Sequence, residues 1–402
     1  MQALRFDEGR ATVFERIRER VSGPAVETVH LDSAAGRILA DDVCADRDYP
    51  PFNRSARDGF AVIAADVQTV PATLDLIGET QAGEPSRFSL ERGQTVEIMT
   101  GAPGPENADA VVMVEYSQRN GRRVRLNKPI ASGRNLIMAG EEVRRGQRVL
   151  APGRRISFAS IAVLATVGRS EVPVFRRPEV AILSTGDEVL PVEATPASYQ
   201  IRNSNAHSLA EQVRRRGGAP KILPVARDTL AETRRLIEKG LKSDLLLLSG
   251  GVSMGKHDVV EEVLLGLGTE LFFTTVRIQP GKPLVFGYCR DTPVFGLPGN
   301  PLSTMVTFEV FASIAVDLMA GASDSPLPFM RVPLAAGFRH KPVLTRFIGA
   351  RLEGSYSDTR VRIDRGGGSG DVAAFARADC LAVATEDRAE WQKGEPMQVM
   401  PL

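Results

Sequence analysis

The chain has few cysteines, no excess of charge of either sign, and no long apolar run free of charged residues. Its three cysteines in 402 residues, Cys44, Cys289 and Cys380, are too few and too widely spaced for a disulfide framework, which favours a reducing cytoplasm. Its 50 basic and 49 acidic residues give a net charge of +1. Composition therefore gives no indication of a nucleic-acid-binding protein.

Membrane and export signals are also missing from the sequence. The first eight residues contain no apolar signal-peptide core. The most apolar helical stretch, Ser303 to Ala322, carries Glu309 and Asp317, so we expect a buried core helix rather than a membrane span. We therefore expect a cytoplasmic protein that contacts neither nucleic acid nor membrane. The length predicts about two to four domains.

The first part of the chain predicts a helix followed by a β-rich region. Asp7 to Val21 places its apolar residues on one helical face. From about 49 to 150 the periodicity shifts toward two, and Asn120-Gly121 predicts a hairpin between 111–116 and 122–126. A short apolar helix is expected from Ile156 to Ala165. We interpret this portion as a small β domain inserted after an N-terminal segment.

Strand and helix patterns alternate from Pro178 to about Ala322, which predicts βα units in a parallel sheet. Helices are expected at Asn205–Arg216 and after Thr229, where Glu232 completes a capping box. Two more are expected to begin at Asp258 and at Asn300-Pro301. After residue 323 the composition is again typical of β structure.

Three glycine-bearing turns follow three of the predicted strands. They are Ser184-Thr185-Gly186-Asp187-Glu188, Ser249-Gly250-Gly251 and Leu297-Pro298-Gly299-Asn300-Pro301. Because the carboxyl ends of parallel strands share one edge of the sheet, we expect these turns to converge on a ligand crevice. Small residues allow close backbone approach, and N–H groups bind anions. The pattern predicts a site for a nucleotide or another phosphorylated ligand.

Four carboxylates are expected at the same edge: Asp187, Glu188, Asp228 and Asp258. Together with phosphate oxygens and water they provide the ligands that Mg²⁺ prefers. Singly, Asp228 and Asp258 also fit ordinary helix caps; it is the convergence of all four that favours a metal–phosphate site.

Other polar residues carry weaker signals. Lys282 lies in a tight turn and is suited to pair with an oxyanion, although such a turn is also common at a surface. His207 and His257 lack the paired spacing of zinc ligands. No P-loop motif is present, and no arrangement of side chains suggests a covalent nucleophile.

Seven motifs follow one another over nearly the full length of the chain. They are Arg54 to Ala61, Met99-Thr100-Gly101-Ala102-Pro103, Ser184 to Glu188, Ile201-Arg202-Asn203-Ser204-Asn205, Ser249 to Gly255, Pro280-Gly281-Lys282-Pro283 and Leu297 to Pro301. One such motif is weak, but the ordered set is specific. With this set the chain resembles the molybdopterin molybdenumtransferase family, MoeA, which includes the E domain of gephyrin.

This resemblance implies an α/β multidomain protein with four domains. They are an elongated linker domain at 1–48 and 141–177, an inserted β-rich domain at 49–140, a doubly wound, mostly parallel α/β domain that binds molybdopterin and nucleotide at 178–323, and a C-terminal β-barrel at 324–402. It also implies a homodimer. We expect each active site to be shared between two protomers, because the motifs fall into two groups on different domains.

The resemblance further implies the reaction and the residues that perform it. The family inserts molybdenum from molybdate into adenylylated molybdopterin and releases AMP. Matching positions imply Mg²⁺ ligands at Asp187, Glu188 and Asp258, with Asp228 nearby. Phosphate or nucleotide contacts are implied for Ser249, Gly250, Gly251, Asn300 and Ser303, in the cleft that Pro298 and Pro301 help to form. Asp58 and Thr100 belong to the second half of the site, and Lys282, Arg351 and Ser369 to molybdate binding.

Three departures from the family's pattern and two alternative functions qualify what the resemblance implies. Gln279 occupies a position where many relatives have lysine, so that charge is missing or comes from Arg277. Gly104 replaces a bulkier residue, and Asp371 adds a negative charge near the proposed anion site. The alternatives are a non-catalytic molybdopterin-binding scaffold and a molybdopterin adenylyltransferase. The resemblance also allows contacts with the adenylyltransferase and with molybdoenzymes.

Overall fold

A computed structural model describes residues 3–21, 23–251, 259–364 and 366–402. The chain divides into two compact units. The first comprises Met1–Ala40, Pro152–Phe158 and Glu171–Leu402, and the second Asp41–Ala151 and Ala159–Ser170. Because this division distinguishes two units rather than four, the boundaries of the four expected domains stay a prediction.

A six-stranded sheet forms the centre of the first unit. Its first four strands are parallel, as predicted, and its last two are antiparallel. In spatial order the strands are Ala219–Ile222, Glu179–Ser184, Leu245–Ser249, Thr292–Leu297, Pro283–Cys289 and Glu270–Thr275.

Helices cover both faces of this sheet because the interiors of its central strands are apolar on both sides. Along the second strand, Ile182 packs into one hydrophobic cluster and its neighbours Ala181 and Leu183 pack into another. The first cluster contains residues of helices Phe6–Arg20, Ser204–Arg215 and Pro301–Met319, and the second contains residues of Leu230–Gly240 and Val259–Gly266. The sheet is therefore doubly wound.

The predicted helices are confirmed with ends shifted by one or two residues. At Leu230–Gly240 the Thr229 side chain accepts a hydrogen bond from the Glu232 N–H, as the sequence suggests. Asn300 lies at the predicted N-cap position, but its side chain makes no capping bond. The expected cap Asp258 lies outside the described residues.

The long apolar helix is a core helix. It consists of Pro301–Thr307, a π-helical turn at Phe308–Ala312 and Ser313–Met319. Among the described residues it is the one helix long and apolar enough to cross a membrane, but 78% of its apolar window is buried. The expectation for 303–322 is confirmed.

The C-terminal part of the first unit is a second sheet. Its spatial order is Ile278–Gln279, Thr345–Glu353, Cys380–Ala384, Pro396–Pro401 and Met330–Pro333, with Arg360–Ile363 paired to the second strand. The short strand Ile278–Gln279 runs parallel to Thr345–Glu353, so the turn that carries Lys282 lies beside this sheet. The remaining elements of the unit are the strand pairs Val26–His30 with Glu171–Phe175, Val189–Leu190 with Ile201–Arg202, and Phe338–Arg339 with Glu390–Trp391, the 3₁₀ turn Leu31–Ser33 and the helix Val372–Phe375.

The second unit is β-rich, as predicted. The spatial order of its sheet is Ala110–Met113, Gly59–Val62, Gln94–Ile98, Ala72–Thr80, Arg123–Leu126 and Ser117–Asn120. The remaining elements are the strand pairs Arg54–Ser55 with Leu136–Ile137 and Val43–Cys44 with Arg148–Leu150, the 3₁₀ turns Ala64–Val67 and Val114–Tyr116, and the helix Phe158–Thr166.

The predicted hairpin is present, but its first strand was misplaced. Gly121 adopts φ +61° in the turn between Ser117–Asn120 and Arg123–Leu126. The apolar run 110–113 pairs instead with Gly59–Val62, because the 3₁₀ turn after Met113 separates it from the hairpin.

Candidate active site

The three glycine turns do converge. They form one side of a cleft of about 850 Å³ in the first unit. Strand pairing explains the convergence, since Ser184, Ser249 and Leu297 are aligned in register at the ends of neighbouring parallel strands. The predicted lining residues are Glu188, Asp228, Ser249, Gly250, Gly251, Pro298, Asn300 and Pro301.

Glycine is required in the middle turn. Gly251 has φ +63°, and a Cβ there would lie 2.6 Å from Val260 Cγ2 and 2.8 Å from Thr185 Oγ1. Gly250 has φ +93°, and its Cβ would lie 3.0 Å from the Thr185 carbonyl oxygen. Side chains at either position would strain the backbone and fill the space between adjacent turns. The cleft wall here is therefore formed by backbone.

Two polar side chains of the cleft each have one oxygen atom without a hydrogen-bond partner among the described residues. Asn205 donates through Nδ2 to Ser249 Oγ at 2.9 Å and to the Gly299 carbonyl at 2.8 Å, which fixes the orientation of its amide. Its Oδ1 and the Thr185 Oγ1 are buried and have no hydrogen-bond partner in the described part of the chain. Since a buried polar atom without a partner is unfavourable, a ligand with hydrogen-bonding groups would stabilise this cleft.

The predicted carboxylate cluster is partly assembled. Glu188 and Asp228 line the cleft, and Asp187 Oδ1 accepts the Asp228 N–H at 3.3 Å. A parallel bridge between Thr185 and Ala226 brings the segment of Asp228 to this edge. Asp258 lies outside the described residues, and the described ranges contain no group of three metal-ligating side chains.

A second cavity of about 790 Å³ adjoins the cleft. Pro283 lines both, while the start of the apolar helix separates them: Pro301 faces the cleft, and Leu302 and Ser303 face the second cavity. The other polar lining residues are Gln279, Lys282, Arg339, Arg346, Asp364, Ser369 and Asp371. The structure thus brings the predicted Lys282, Ser303 and Ser369 together.

Arg351 and Asp371 both have partners. Arg351 does not line the second cavity; it pairs at 3.7 Å with Asp364, which does. The Asp371 carboxylate accepts the N–H groups of Gly367 at 2.8 Å and Ala374 at 2.9 Å. These backbone hydrogen bonds, with Gly367 first, lower the pKa of Asp371. The extra negative charge noted in the sequence is therefore a cap of helix Val372–Phe375.

In the second unit, Asp58 and Thr100 are in direct contact. Asp58 precedes strand Gly59–Val62 and Thr100 follows Gln94–Ile98, and these antiparallel neighbours pair Gly59 with Ile98. Asp58 Oδ1 accepts the Thr100 N–H at 2.7 Å and its hydroxyl at 2.9 Å. Both bonds stabilise the carboxylate, the backbone one more, and lower the pKa of Asp58.

Sequence reasoning assigned no role to several polar residues that line the two cavities, among them Thr185 and Asn205 in the cleft, and Arg339 and Arg346 in the second cavity. Thr185 and Asn205 lie in motifs that were noted without a role for these residues. The two arginines lie in the C-terminal segment, where a charged residue on a half-exposed strand gives no local signal.

Comparison with known proteins identifies the family. Three family models match consecutive parts of the chain: the MoeA N-terminal region (domains I and II) at 4–168, a model described as "Probable molybdopterin binding domain" at 181–317, and the MoeA C-terminal region (domain IV) at 331–402.

Relatives and solved structures agree with these models. A molybdopterin molybdenumtransferase of Bacillus subtilis (strain 168) is 33% identical over 93% of this chain and 89% of its own length. One of Staphylococcus aureus (strain Mu50) is 31% identical over 96% and 93%. A solved structure of a molybdopterin biosynthesis MoeA protein from Pyrococcus horikosii has a TM-score of 0.74 and 30% identity, and covers 100% of this chain and 99% of that one. The chain belongs to the MoeA family.

Proposed function

We propose that this chain is a molybdopterin molybdenumtransferase. It inserts molybdenum from molybdate into adenylylated molybdopterin, releases AMP and so completes molybdenum cofactor biosynthesis. The observation that carries this assignment is the pair of adjoining cavities in the first unit. One has the backbone turns that suit a phosphorylated ligand, and the other has cationic side chains that suit a small oxyanion. Similarity to molybdopterin molybdenumtransferases extends over nearly the whole chain.

The cleft holds the phosphates of the adenylylated pterin in this proposal. The Ser249-Gly250-Gly251 backbone and the N-terminus of the helix that begins at Pro301 direct N–H groups and a partial positive charge toward a bound anion. The free Asn205 Oδ1 accepts a hydrogen bond from the ligand, and Thr185 Oγ1 donates or accepts one. By fixing the anhydride in one orientation, these contacts promote its cleavage.

We also propose that Mg²⁺ binds in the cleft. Mg²⁺ is usually held by one or two carboxylates together with substrate phosphates and water, and Glu188 and Asp228 on the cleft wall provide such a set. Asp187 and Asp258 remain predicted ligands. When bound, the ion stabilises negative charge on phosphate oxygens. Asp187 also accepts the backbone N–H of Asp228 and so positions that residue.

Molybdate binds in the second cavity in this proposal. Lys282 supplies positive charge, and Ser369 and Ser303 supply hydroxyl groups beside it. Because Ser303 faces this cavity, we assign it to the oxyanion rather than to the nucleotide. Arg351 stays a predicted ligand; it does not line the cavity but pairs with Asp364, which does.

We further propose a cytoplasmic homodimer whose active sites each combine Asp58 and Thr100 of one protomer with the cleft of the other. An exposed apolar surface supports dimerisation: helix Phe158–Thr166 buries only Leu164, and Phe158 is 90% exposed. Free cysteines are consistent with a reducing compartment. Contacts with molybdopterin adenylyltransferase and with molybdoenzymes are proposed from the family alone.

The direct test is molybdate-dependent release of AMP. Purified protein is incubated with adenylylated molybdopterin and Mg²⁺, with and without molybdate, and AMP is measured together with molybdenum bound to the pterin. We expect AMP release only when molybdate is present. A scaffold would bind the pterin without releasing AMP. An adenylyltransferase would instead form adenylylated pterin from molybdopterin and ATP.

The shared site is tested by mixing two inactive variants, Asp58→Ala and Asp258→Ala. A heterodimer with composite sites has one intact and one doubly damaged site, so activity returns to at most half the parental level per heterodimer. Differently tagged chains that co-purify show that heterodimers form. If they form and no activity returns, each site lies within one chain.

A further inference from the structure

Arg346 lies at the second cavity beside a neutral residue. It is on strand Thr345–Glu353, which runs parallel to Ile278–Gln279, and the register places it opposite Gln279. Both residues line the second cavity. The strand pairing thus brings a guanidinium from the C-terminal sheet to the turn that carries Lys282.

Among the residues that the structure describes, the guanidinium of Arg346 has no counter-ion, unlike three arginines nearby. Arg339 pairs with Glu390 at 2.9 Å, Arg277 with Glu386 at 3.3 Å, and Arg351 with Asp364 at 3.7 Å. For Arg346 the described residues provide no ion pair, and its Nε is buried without a hydrogen-bond partner. A half-buried guanidinium in this state is unfavourable unless something else neutralises it.

The carboxylates of the second cavity do not neutralise Arg346. Asp364 faces Arg351, and Asp371 is held by the N–H groups of Gly367 and Ala374. Lys282 likewise has no ion pair among the residues that the structure describes. Within the described ranges, the cavity therefore presents a lysine on a turn and an arginine on a strand, neither of which has an acidic partner.

We infer that Arg346, together with Lys282, binds the tetrahedral oxyanion in the second cavity, and that it provides the guanidinium that the family resemblance implies for Arg351. An ammonium and a planar fork of N–H donors complement adjacent oxygens of such an anion. The hydroxyl-bearing Ser369 completes the wall, since its carbonyl accepts the Leu302 N–H at 3.1 Å and ties this loop to the helix start. That the oxyanion is molybdate rests on the proposed function; a phosphate of the pterin substrate is also tetrahedral and anionic.

The test is equilibrium binding of sodium molybdate, and separately of inorganic phosphate, to the full-length chain by calorimetry. Arg346→Gln removes the charge, Arg346→Lys keeps it, and Arg360→Gln is the matched control, because Arg360 lies on a neighbouring strand and pairs with Asp358. We expect Arg346→Gln to weaken molybdate binding by about ten- to a hundredfold, Arg346→Lys to weaken it less, and Arg360→Gln to leave it unchanged.

A second variant leaves Arg346 in place. Gln279→Glu puts a carboxylate opposite the guanidinium on an exposed position, so it should neutralise Arg346 and weaken the oxyanion in the same way. Because a carboxylate lining the cavity also repels an anion directly, Arg346→Lys decides the matter if Arg346→Gln proves too unstable, as judged by its thermal unfolding: it keeps the charge and loses the planar fork of donors.

The outcomes separate this inference from the proposed function. If the parental chain binds phosphate but not molybdate, and Arg346→Gln weakens phosphate, then Arg346 binds an oxyanion and the proposed molybdate site is wrong. If molybdate binds the parental chain, and Arg346→Gln and Gln279→Glu both bind it equally well, the role of Arg346 is wrong while the proposed function stands. Absence of binding of either anion to the parental chain overturns the site itself.

Discussion

The two cavities of the first unit differ in how they would hold negative charge. The cleft presents glycine turns, hydroxyl and amide groups, and two carboxylates, Glu188 and Asp228. The second cavity presents Lys282 and Arg346, which have no counter-ion in the part of the chain that the structure describes. A phosphate ligand that arrives with Mg²⁺ is matched by carboxylates and backbone dipoles, whereas a free oxyanion needs protein cations. The two cavities therefore suit two anionic ligands whose charge is neutralised in different ways, one by Mg²⁺ and backbone dipoles and the other by protein cations.

A single helix start keeps these environments apart. Pro301 belongs to the cleft, and the next two residues belong to the second cavity. The two binding functions should therefore fail separately when each wall is altered, and fail together when the helix is displaced.

The largest effect should come from the far end of that helix. Asp317 is buried and accepts bonds from Arg155 at 2.8 Å, Arg216 at 3.2 Å and Ser325 at 2.7 Å. Asp317→Asn removes the carboxylate that pairs with Arg155 and one of the two that pair with the half-buried Arg216, whose other partner is Glu309, which costs about 3 kcal/mol of stability. Urea unfolding measures this, with the exposed Asp291→Asn as control. We expect the folded variant to lose AMP binding and molybdate binding to the same extent, because the helix that contains Asp317 borders both cavities. Selective loss of one would contradict a common role of this helix.

The next effect belongs to the cleft alone. Glu188→Gln removes a carboxylate from the cleft wall, and we expect AMP release to slow by about a hundredfold. Molybdate binding, measured by calorimetry, should be unchanged. The exposed Glu193→Gln, outside both cavities, serves as control. A Glu188→Gln enzyme with parental rate and the same Mg²⁺ dependence would place the metal elsewhere.

A smaller effect is expected at the second cavity, where molybdate binding should change and AMP binding should not. Lys282→Ala should raise the molybdate concentration for half-saturation by about tenfold, because one charge-assisted contact is lost. The affinity for AMP should stay at the parental value. Arg351→Ala tests the residue expected from sequence alone, and its effect should be smaller, since Arg351 acts through Asp364. If neither variant changed the molybdate concentration for half-saturation, an oxyanion site here would be ruled out.

The smallest effect concerns pH and the loop of the second cavity. The pKa of Asp371 is lowered by the Gly367 and Ala374 N–H groups, so its contribution to stability is present above the unfolded pKa and is lost as pH falls through the folded pKa. The difference in Tm between the parental chain and Asp371→Ala should therefore be greatest near neutral pH and disappear in acid. A difference that is constant across pH would show that the carboxylate charge plays no part.

The cleft was largely predictable from sequence because its signals are local. Apolar runs followed by Ser249-Gly250-Gly251 or by Pro298-Gly299-Asn300-Pro301 indicate a strand, a turn and the start of a helix within a few residues. Parallel pairing then brings the turns together without further information. The first strand of the hairpin was placed too early, because the 3₁₀ turn at Val114–Tyr116 interrupts an apolar stretch that looks continuous in the sequence.

The second cavity was less predictable because it depends on pairing between distant segments. Arg346 meets Gln279 only through the register of two short strands, and nothing in the sequence around Arg346 marks that pairing. Arg351, on the same strand, was chosen by resemblance. Its contact with Asp364 depends on the antiparallel neighbour Arg360–Ile363 and the loop after it, which no local pattern reveals.

The central claim is that AMP and molybdate occupy different cavities, and competition binding tests it most directly. The dissociation constant of AMP is measured in the presence of Mg²⁺ at increasing molybdate concentrations. Two separate sites predict an AMP affinity that is unchanged or tighter at saturating molybdate, with the reciprocal effect on molybdate. An apparent dissociation constant for AMP that rises in proportion to molybdate would mean that both ligands compete for one site, and would contradict the account.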